Sequence, residues 1–266
     1  MSGFDPVPGD IRGALWPAGM PFHLISRDGA PAVVVCLHGF GASTYETRPV
    51  AEACVQAGID AVAPLLPGHG YANEDDQRRE IVKMTMDGVV NAARCEVARA
   101  RERYKTVYIY GQSMGGAIAL AIAGEGLVDA CATTAPALKL PGGAGFIAAL
   151  VALSRNKLNF YIKKQQKPRA FINYSYSHHN SLAAAQMQRV SLHGRSMLGS
   201  ITCPVLVAHS HNDSTIDPVV TSWVQSKAKG PVTIAWFDKS NHTMPLDVQG
   251  AEVSAVIAKF FTSRVG

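Results

Sequence analysis

The 266-residue sequence predicts an α/β fold, a doubly wound and mostly parallel sheet with a cap insertion between two of its strands. Two observations lead to this prediction. Short, uninterrupted apolar runs, such as AVVVCLHG at 32–39, have the composition of strands that are buried on both faces. These runs alternate with segments of helical periodicity, and such alternation is typical of parallel strands covered by helices.

The alternation begins near residue 32 and continues along most of the chain. The predicted strands lie at 32–39, 60–70, 106–111, 128–136, 203–210 and 232–238. The predicted helices lie at 47–58, 79–104, 115–124, 219–228 and 248–261. The longest of these, 79–104, has arginines in its last turns, where the helix dipole favours cations.

Residues 137–200 interrupt the alternation. An apolar helical segment at 142–153 is followed by a basic, aromatic and irregular stretch and then by a second helical segment at 182–198. We therefore predict a core formed by 1–136 and 201–266 and a cap or lid formed by 137–200. The cap would stand above the sheet edge at which open α/β folds bind ligands.

The net charge of +5 is concentrated in one part of the chain. Residues 130–212 contain nine Lys or Arg and no Asp or Glu, whereas the remainder carries 16 basic and 20 acidic residues. Such a segment attracts an anionic substrate or lipid headgroups, or it is simply a solvated basic insertion. We predict no nucleic-acid partner, because no basic–aromatic interleaving or nucleic-acid module accompanies the charge.

The five cysteines are odd in number and widely spaced, with no CxxC pair. This usage predicts reduced thiols in a cytoplasmic protein instead of disulfides or a zinc site. No apolar run has the length of a membrane span, and the first residues lack the features of a secretory signal. We therefore expect a cytoplasmic location without stable membrane insertion, and at most weak contact of the basic cap with a lipid surface. The oligomeric state stays open.

The stretch YIYGQSMGGA at 108–117 joins an apolar strand to a serine flanked by glycines. Gly111–Gly115 matches the pattern G-x-S-x-G, with a strand before it and a helix after it. A sharp strand-to-helix turn exposes the serine hydroxyl at its tip, and the glycines remove side chains that would collide there. We therefore predict Ser113 as a nucleophile, which requires a base within hydrogen-bond reach.

The predicted base is His242, in the loop between the last strand and the closing helix. This position agrees with the chain order Ser, Asp or Glu, His that accompanies the G-x-S-x-G turn. Two carboxylates that follow the strand at 203–210 are candidates for orienting the imidazole. Asp213 lies just past the strand end and is preferred, whereas Asp217 precedes a proline and suits the start of the next helix.

The third element is HGFGAS at 38–43, which follows the first central strand. The backbone N–H groups of Phe40 and Met114 are the predicted oxyanion hole. A dinucleotide-binding loop would need glycine at position 44, which is Thr44, so we predict no such cofactor. His38 and His69 are predicted to hold loops together by hydrogen bonds. No metal is predicted, since the adjacent His178 and His179 have no nearby carboxylate or cysteine in the sequence.

Taken in order, these motifs resemble the α/β-hydrolase fold family over nearly the whole chain from about residue 30. The motifs are HGFG, LPGHG at 66–70, GQSMGG at 111–116, HND with DP, and SNHTMPLD. The combination of HGF, SMGG and a basic, aromatic cap of this length is similar to small bacterial carboxylesterases and monoacylglycerol lipases. One departure is Ser210, where the family usually has glycine in the turn before the acid.

The resemblance implies a cytoplasmic or peripheral serine esterase that needs no cofactor. It implies a triad of Ser113, Asp213 and His242, with Phe40 and Met114 as oxyanion hole. The departure at the turn before the acid keeps Asp217 as the alternative carboxylate.

The predicted function is hydrolysis of carboxylic esters, either short- or medium-chain acyl esters or monoacylglycerols, through an acyl-enzyme. The predicted acyl pocket is walled by apolar and aromatic cap residues, namely Phe146, Ile147, Leu150, Phe160, Tyr161, Phe171, Tyr174 and Tyr176. An acyl thioesterase or a C–C bond hydrolase on the same triad is the alternative, and the basic cap gives some support to an anionic substrate such as an acyl-CoA. A catalytically silent ligand-binding protein is a further alternative, which the complete triad disfavours.

Overall fold

The computed structural model describes residues 11–27, 29–154, 157–164, 171–172 and 174–265. The strands are β1 (Phe22–Leu24), β2 (Ala32–Leu37), β3 (Asp60–Ala63), β4 (Thr106–Gln112), β5 (Ala130–Thr134), β6 (Tyr161–Lys163), β7 (His178–Asn180), β8 (Val205–Ser210) and β9 (Val232–Phe237). The helices are α1 (Arg48–Gln56), α2 (Glu74–Ile81), α3 (Met86–Arg101), α4 (Met114–Gly124), α5 (Ala144–Leu153), α6 (Ser181–Met197), α7 (Val219–Lys227) and α8 (Gly250–Thr262).

Seven strands form one sheet in the order β1-β3-β2-β4-β5-β8-β9. Only the pairing of β1 with β3 is antiparallel, and every other neighbouring pair in this sheet is parallel. The predicted doubly wound, mostly parallel sheet is therefore confirmed. The three-residue β1 was not predicted, because an edge strand of this length carries no measurable periodicity.

The core lies on both faces of the sheet, and β2 explains why. Val33 and Val35 are buried in a cluster with α3, α4 and α6, whereas Val34 and Cys36 are buried in a second cluster with α1 and α8. Successive side chains of a strand point to opposite faces, so a strand covered on both sides needs an uninterrupted apolar run.

The helix predicted over 79–104 is two helices, α2 and α3. The Asn73 side chain accepts a hydrogen bond from the Asp76 N–H at 2.8 Å and caps α2. Helix α2 ends at Ile81, and the Thr85 hydroxyl accepts from the Gly88 N–H at 3.0 Å and caps α3 within the predicted span. The extended backbone of Thr85 (φ −126°, ψ 153°) separates the two helices.

The chain between β5 and β8 has two parts. Before residue 181 it contains α5 and the antiparallel pair β6–β7. Helix α6 then packs against α4, and its residues Ala183, Met187 and Val190 belong to the main buried cluster. The predicted cap of 137–200 therefore includes a helix, α6, that packs against both α4 and α5.

None of the described helices combines the length and the apolar character that crossing a membrane requires. Helix α4 is apolar along its whole length, but it has only 11 residues, about half of what a membrane span needs. Its side chains are buried between the sheet and α6, so its apolar character is explained by the core.

Candidate active site

Ser113 forms the turn between β4 and α4. Its backbone has φ 54° and ψ −111°, a region that residues other than glycine rarely adopt. The Ser113 N–H donates to the Thr134 carbonyl at 3.0 Å, and the Ser113 carbonyl accepts from the N–H groups of Ala117 and Ala137. These backbone hydrogen bonds hold the strained turn, and the side chain stays on the side that faces a cavity.

The glycines around this turn are required by close backbone contacts. A β-carbon on Gly111 would overlap the backbone of Gly115, and one on Gly115 would overlap the Leu37 carbonyl oxygen. At Gly116 it would approach the Pro136 Cα to 3.0 Å. The G-x-S-x-GG sequence therefore lets the first turn of α4 pass against the ends of β2 and β5.

The structure brings His242 to both Ser113 and Asp213. The distance from His242 Nε2 to Ser113 Oγ is 2.9 Å, and that from His242 Nδ1 to Asp213 Oδ2 is also 2.9 Å. An ionised carboxylate only accepts hydrogen bonds, so Nδ1 carries the proton and Nε2 is left to accept from the Ser113 hydroxyl. The Asp213 carboxyl group is fully buried, whereas the His242 side chain is 18% exposed.

Asp213 lies in the loop between β8 and α7. Its Oδ1 accepts hydrogen bonds from the Thr215 and Ile216 N–H groups at 2.7 and 2.9 Å. Burial alone would raise the pKa of Asp213, but the charge and hydrogen bond of His242 and these two N–H groups outweigh it and hold the pKa below its ordinary value. The carboxylate is therefore ionised at neutral pH.

Asp217 has different partners. Its Oδ2 lies 2.6 Å from Lys139 Nζ in an exposed ion pair, and its Oδ1 accepts from the Val219 N–H at the start of α7. The hydrogen bond with Lys139 is the main reason that the pKa of Asp217 is also lowered. Of the two candidate carboxylates, the structure brings Asp213 to the imidazole and leaves Asp217 at the helix start.

The HGFG loop borders the serine. A β-carbon on Gly39 would lie 3.5 Å from Ser113 Cβ, and Phe40 lines the same cavity as Ser113. The Gly39 N–H donates to Glu46 Oε2 at 3.0 Å. Glu46 was not predicted, since it belongs to no motif and lies in a short 3₁₀ turn before α1. Met114, the other predicted donor residue, is the first residue of α4.

A cavity of about 540 Å³ opens beside Ser113 and His242, between the sheet edge and the segment before α6. Its apolar wall comes from both sides and includes Phe40, Leu140, Ile162, Met187 and Ile216. Among the described residues, three side chains with a carboxylate or an ammonium group also line it, namely Glu46, Lys163 and Lys164. The site therefore combines an apolar chamber with a small number of charges.

A family model described as "Hydrolase_4: Serine aminopeptidase, S33" matches residues 28–249. The chain belongs to this family. The α/β-hydrolase fold that the sequence motifs predicted is thereby confirmed, since the matched region includes the HGFG loop, the Ser113 turn and the His242 loop.

Three relatives are similar to this chain over nearly its full length. The thermostable monoacylglycerol lipase of Bacillus sp. (strain H-257) is 25% identical over 259 residues, which is 92% of this chain and 95% of that protein. A structure from a study of the metagenome-derived lipolytic enzymes LipS and LipT has 20% identity and a TM-score of 0.83, covering 94% of this chain and 100% of that one. The Paleococcus ferrophilus monoacylglycerol lipase has 17% identity and a TM-score of 0.75, covering 92% and 98%.

Most of the residues that were predicted to form the pocket wall do not line the cavity. Phe146, Leu150 and Phe160 are exposed, at 70%, 40% and 40%, and do not line the cavity. Tyr161 is also absent from the wall, since its hydroxyl donates to the Arg78 carbonyl at 2.9 Å. The side chain of Ile147 lies outside the described residues. The three remaining aromatic residues, Phe171, Tyr174 and Tyr176, do not line the cavity either.

Two buried histidines fasten loops near the site, as predicted. His38 Nδ1 donates to the Gly39 carbonyl at 2.9 Å, and its Nε2 accepts from the Leu66 N–H at 3.0 Å. His69 Nδ1 donates to the Pro67 carbonyl at 2.8 Å. Burial lowers the pKa of His38 to about 3 and the pKa of His69 to about 4, so both rings are neutral at pH 7.

The neighbouring histidines of β7 point to different partners. His178 contacts Ser177 and lies within 3.4 Å of Glu74, whereas the His179 ring stacks on the Phe40 ring with centroids 5.7 Å apart. Burial, followed by the charge of Lys164, lowers the pKa of His179 to about 3. The uncharged His179 ring thus lines the cavity, a position that the sequence did not indicate.

Proposed function

We propose that this protein is a serine hydrolase that cleaves carboxylic esters, either short- or medium-chain acyl esters or monoacylglycerols. The observation that carries the proposal is the continuous hydrogen-bond chain from Ser113 through His242 to the buried Asp213, at the edge of a largely apolar cavity. Buried, ordered contacts of this kind are what activation of a serine hydroxyl requires.

In the proposed reaction, His242 Nε2 takes the Ser113 proton as Oγ attacks the ester carbonyl. Asp213 keeps the proton of the imidazole on Nδ1 and stabilises the imidazolium that forms. His242 then returns the proton to the leaving alcohol, so that an acyl-enzyme and a free alcohol result. Water, deprotonated by His242, attacks the acyl-enzyme, and the acid is released as Ser113 regains its proton.

The developing oxyanion would be held by the backbone N–H groups of Phe40 and Met114. Support for this assignment comes from Gly39, which lies next to Ser113, and from the position of Met114 at the N-terminus of α4. The first N–H groups of a helix have no partner within the helix and carry a partial positive charge. Both donors would be fixed before the substrate arrives.

The proposed substrate class is supported by the cavity and by one relative. A volume of about 540 Å³ lies within the range of roughly 300–1,000 Å³ that is usual for small-ligand pockets. Apolar walls suit an acyl chain, and the Bacillus relative is a monoacylglycerol lipase. No cofactor is part of the proposed reaction.

The test is an assay of p-nitrophenyl esters from two to twelve carbons, a monoacylglycerol and an acyl-CoA, with wild type and Ser113→Ala. We expect ester turnover that peaks at one chain length and falls by about 10⁴–10⁶ in kcat in the variant. Ser222→Ala, a change on the exposed side of α7 that does not line the cavity, serves as the control. Ester turnover that survives Ser113→Ala would overturn the proposal.

A thioesterase acting on an anionic thiol ester is the second candidate, and Lys163 and Lys164 in the cavity wall favour it. An ammonium group stabilises a phosphate or carboxylate on the leaving group at short range. Turnover confined to the acyl-CoA, with a KM that rises in Lys164→Gln, would favour this candidate over the ester hydrolase.

Weak contact with lipid is also part of the proposal. Phe146, Leu150 and Leu153 form one exposed stripe on α5 at i, i+4 and i+7, and the exposed Lys157 follows. Vesicles containing phosphatidylglycerol should co-sediment with more of the wild-type protein than of the double variant Phe146→Ser/Leu153→Ser, and equal amounts would contradict the contact.

A cytoplasmic location is also part of the proposal. It is supported by the five cysteines, which are all free thiols.

A further inference from the structure

Gln112, the last residue of β4, connects the strand of the proposed nucleophile to the loop of the proposed base. Its Nε2 donates to the backbone carbonyl of His242 at 2.8 Å, across 130 positions in the chain. The Gln112 side chain is buried, so water does not compete for this hydrogen bond. The donor belongs to the residue directly before Ser113.

The amide of Gln112 is held in one orientation by a chain of hydroxyl groups. The Thr134 hydroxyl donates to Gln112 Oε1, since an amide oxygen only accepts. Because the single hydroxyl proton of Thr134 is engaged in that bond, Thr134 Oγ1 accepts from the Tyr110 hydroxyl, at a distance of 2.7 Å. Burial raises the pKa of Tyr110, which keeps that donor protonated. With Oε1 occupied by Thr134, the NH₂ group of Gln112 faces His242.

Register places these three groups together. Tyr110 and Gln112 are two residues apart on β4 and share one face, and Thr134 is the direct partner of Gln112 on β5. All three are buried. The relay therefore belongs to the rigid centre of the sheet, whereas His242 lies in a loop.

We propose that Gln112 is a positioning residue, which fixes the His242 backbone so that Nε2 stays within reach of Ser113 Oγ; this inference rests on the proposed function. The other hydrogen bonds of the described His242 loop run within the loop, such as His242 N–H to Asn241 and Asn241 N–H to Asp247, or to the end of β8, where the Ser210 hydroxyl donates to the Ser240 carbonyl. Among the described residues, the Gln112 amide is the hydrogen bond that ties the backbone of this loop to β4.

The expected effect follows from geometry. A displacement of about 1 Å in a catalytic group costs up to about 10²-fold in rate. Gln112→Met keeps the volume and removes both hydrogen bonds. We expect kcat to fall by roughly 10- to 100-fold with KM within about twofold of wild type.

Gln112→Glu is the conservative variant with a diagnostic pH dependence. Its carboxylate would face the His242 carbonyl without a proton to donate, which raises the pKa of the new side chain. Once protonated, it donates to the carbonyl again. We therefore expect the ratio of kcat in Gln112→Glu to kcat in Gln112→Met to increase as pH falls from 8 to 6, which a merely structural role would not produce.

Gln77→Met is the matched control. Gln77 lies on α2, away from the site, and its Nε2 also donates to a backbone carbonyl, that of Tyr71. It should leave kcat unchanged. If Gln112→Met does not fold, Thr134→Val removes the support of the amide and should lower kcat by about three- to tenfold. Its effect should not add to that of Gln112→Glu, since the two residues act in one relay.

The assay is run beside Ser113→Ala, so that the two proposals are tested separately. A reduced kcat in Gln112→Met with the pH-dependent ratio supports the positioning role. Wild-type kcat in a folded Gln112→Met overturns it while leaving the proposed function intact, provided that Ser113→Ala is inactive. Activity that persists in Ser113→Ala overturns both.

Discussion

The carbonyl oxygen of Leu37, at the end of β2, occupies the space that a β-carbon on Gly115 would need. Both positions are backbone, so neither can move unless α4 separates from the sheet. Ser113 lies in the turn that this contact compresses, and its strained φ is maintained by the same packing. The geometry of the proposed nucleophile thus depends on a residue without a side chain.

Gly115→Ala should therefore lower the free energy of unfolding by at least about 3 kcal/mol, or prevent folding altogether. Gly199→Ala is the matched control, because a β-carbon there meets nothing within 4 Å. The control should change the free energy of unfolding by less than about 1 kcal/mol. Urea titrations of both variants measure the difference, and similar values for the two would be inconsistent with the clash.

The two candidate carboxylates give opposite expectations. Asp213→Asn replaces the acceptor that holds the His242 tautomer and should lower kcat by about 10⁴. Asp217→Asn breaks an exposed ion pair with Lys139, which water and salt screen, and should leave kcat within a few-fold of wild type. Steady-state kinetics on one ester decide the assignment, and a larger loss in Asp217→Asn would reverse it.

Glu46 is expected to hold the HGFG loop through its contact with the Gly39 N–H. Glu46→Gln keeps an acceptor oxygen and should retain kcat within about threefold, whereas Glu46→Ala leaves the N–H without it. For the alanine variant we expect a loss of roughly 10- to 100-fold in kcat, because the N–H of the neighbouring Phe40, the proposed oxyanion donor, would move. If the glutamine variant loses as much as the alanine variant, the charge of Glu46 matters and the loop hypothesis is wrong.

Acid should destabilise the protein through its buried imidazoles. The pKa of His69 is about 4 in the folded protein and about 6.5 when unfolded, so the unfolded state binds more protons between these values. Its contribution to stability is complete above pH 6.5 and is lost as pH falls towards 4. Between pH 6 and 4.5 the slope from His69 alone approaches about 1.4 kcal/mol per pH unit.

His69→Asn cannot titrate in this range and isolates that contribution. Its free energy of unfolding should depend less steeply on pH than that of wild type, by an average of about 1 kcal/mol per unit between pH 7 and pH 5. Urea unfolding at pH 7, 6 and 5 provides the comparison. Parallel pH curves for the two proteins would mean that His69 is protonated in the folded state as readily as in the unfolded one.

Local motifs explain which parts of the fold were predictable. The Ser113 turn was found because its glycines and the strand before it are adjacent in the sequence, and the parallel sheet because its strands are continuous apolar runs. Chain order located His242, and its position just past a strand favoured Asp213. Asp217 stayed as the alternative, because the partners that distinguish the two carboxylates are set by the three-dimensional structure. Glu46 carried no signal, since its contact with Gly39 depends on how a 3₁₀ turn folds back.

The pocket prediction failed for a physical reason. Helix α5 has the sequence AGFIAALVAL, which is apolar all round, so periodicity does not indicate which face points inward. Packing against α6 decides it, burying Ala148 and Val151 and leaving Phe146 outside. The break between α2 and α3 was also missed, because the residues between Ile81 and Met86 include no glycine or proline that would mark it in the sequence.

His242 meets Ser113 across 129 positions of the chain, and this separation has a consequence during synthesis. At about 5–20 residues per second, a ribosome needs roughly 6–26 s to proceed from the serine to the histidine. A nascent chain therefore displays the proposed nucleophile long before it contains the base. Reactivity is acquired late, when β9 joins the sheet and the loop after it closes over the serine.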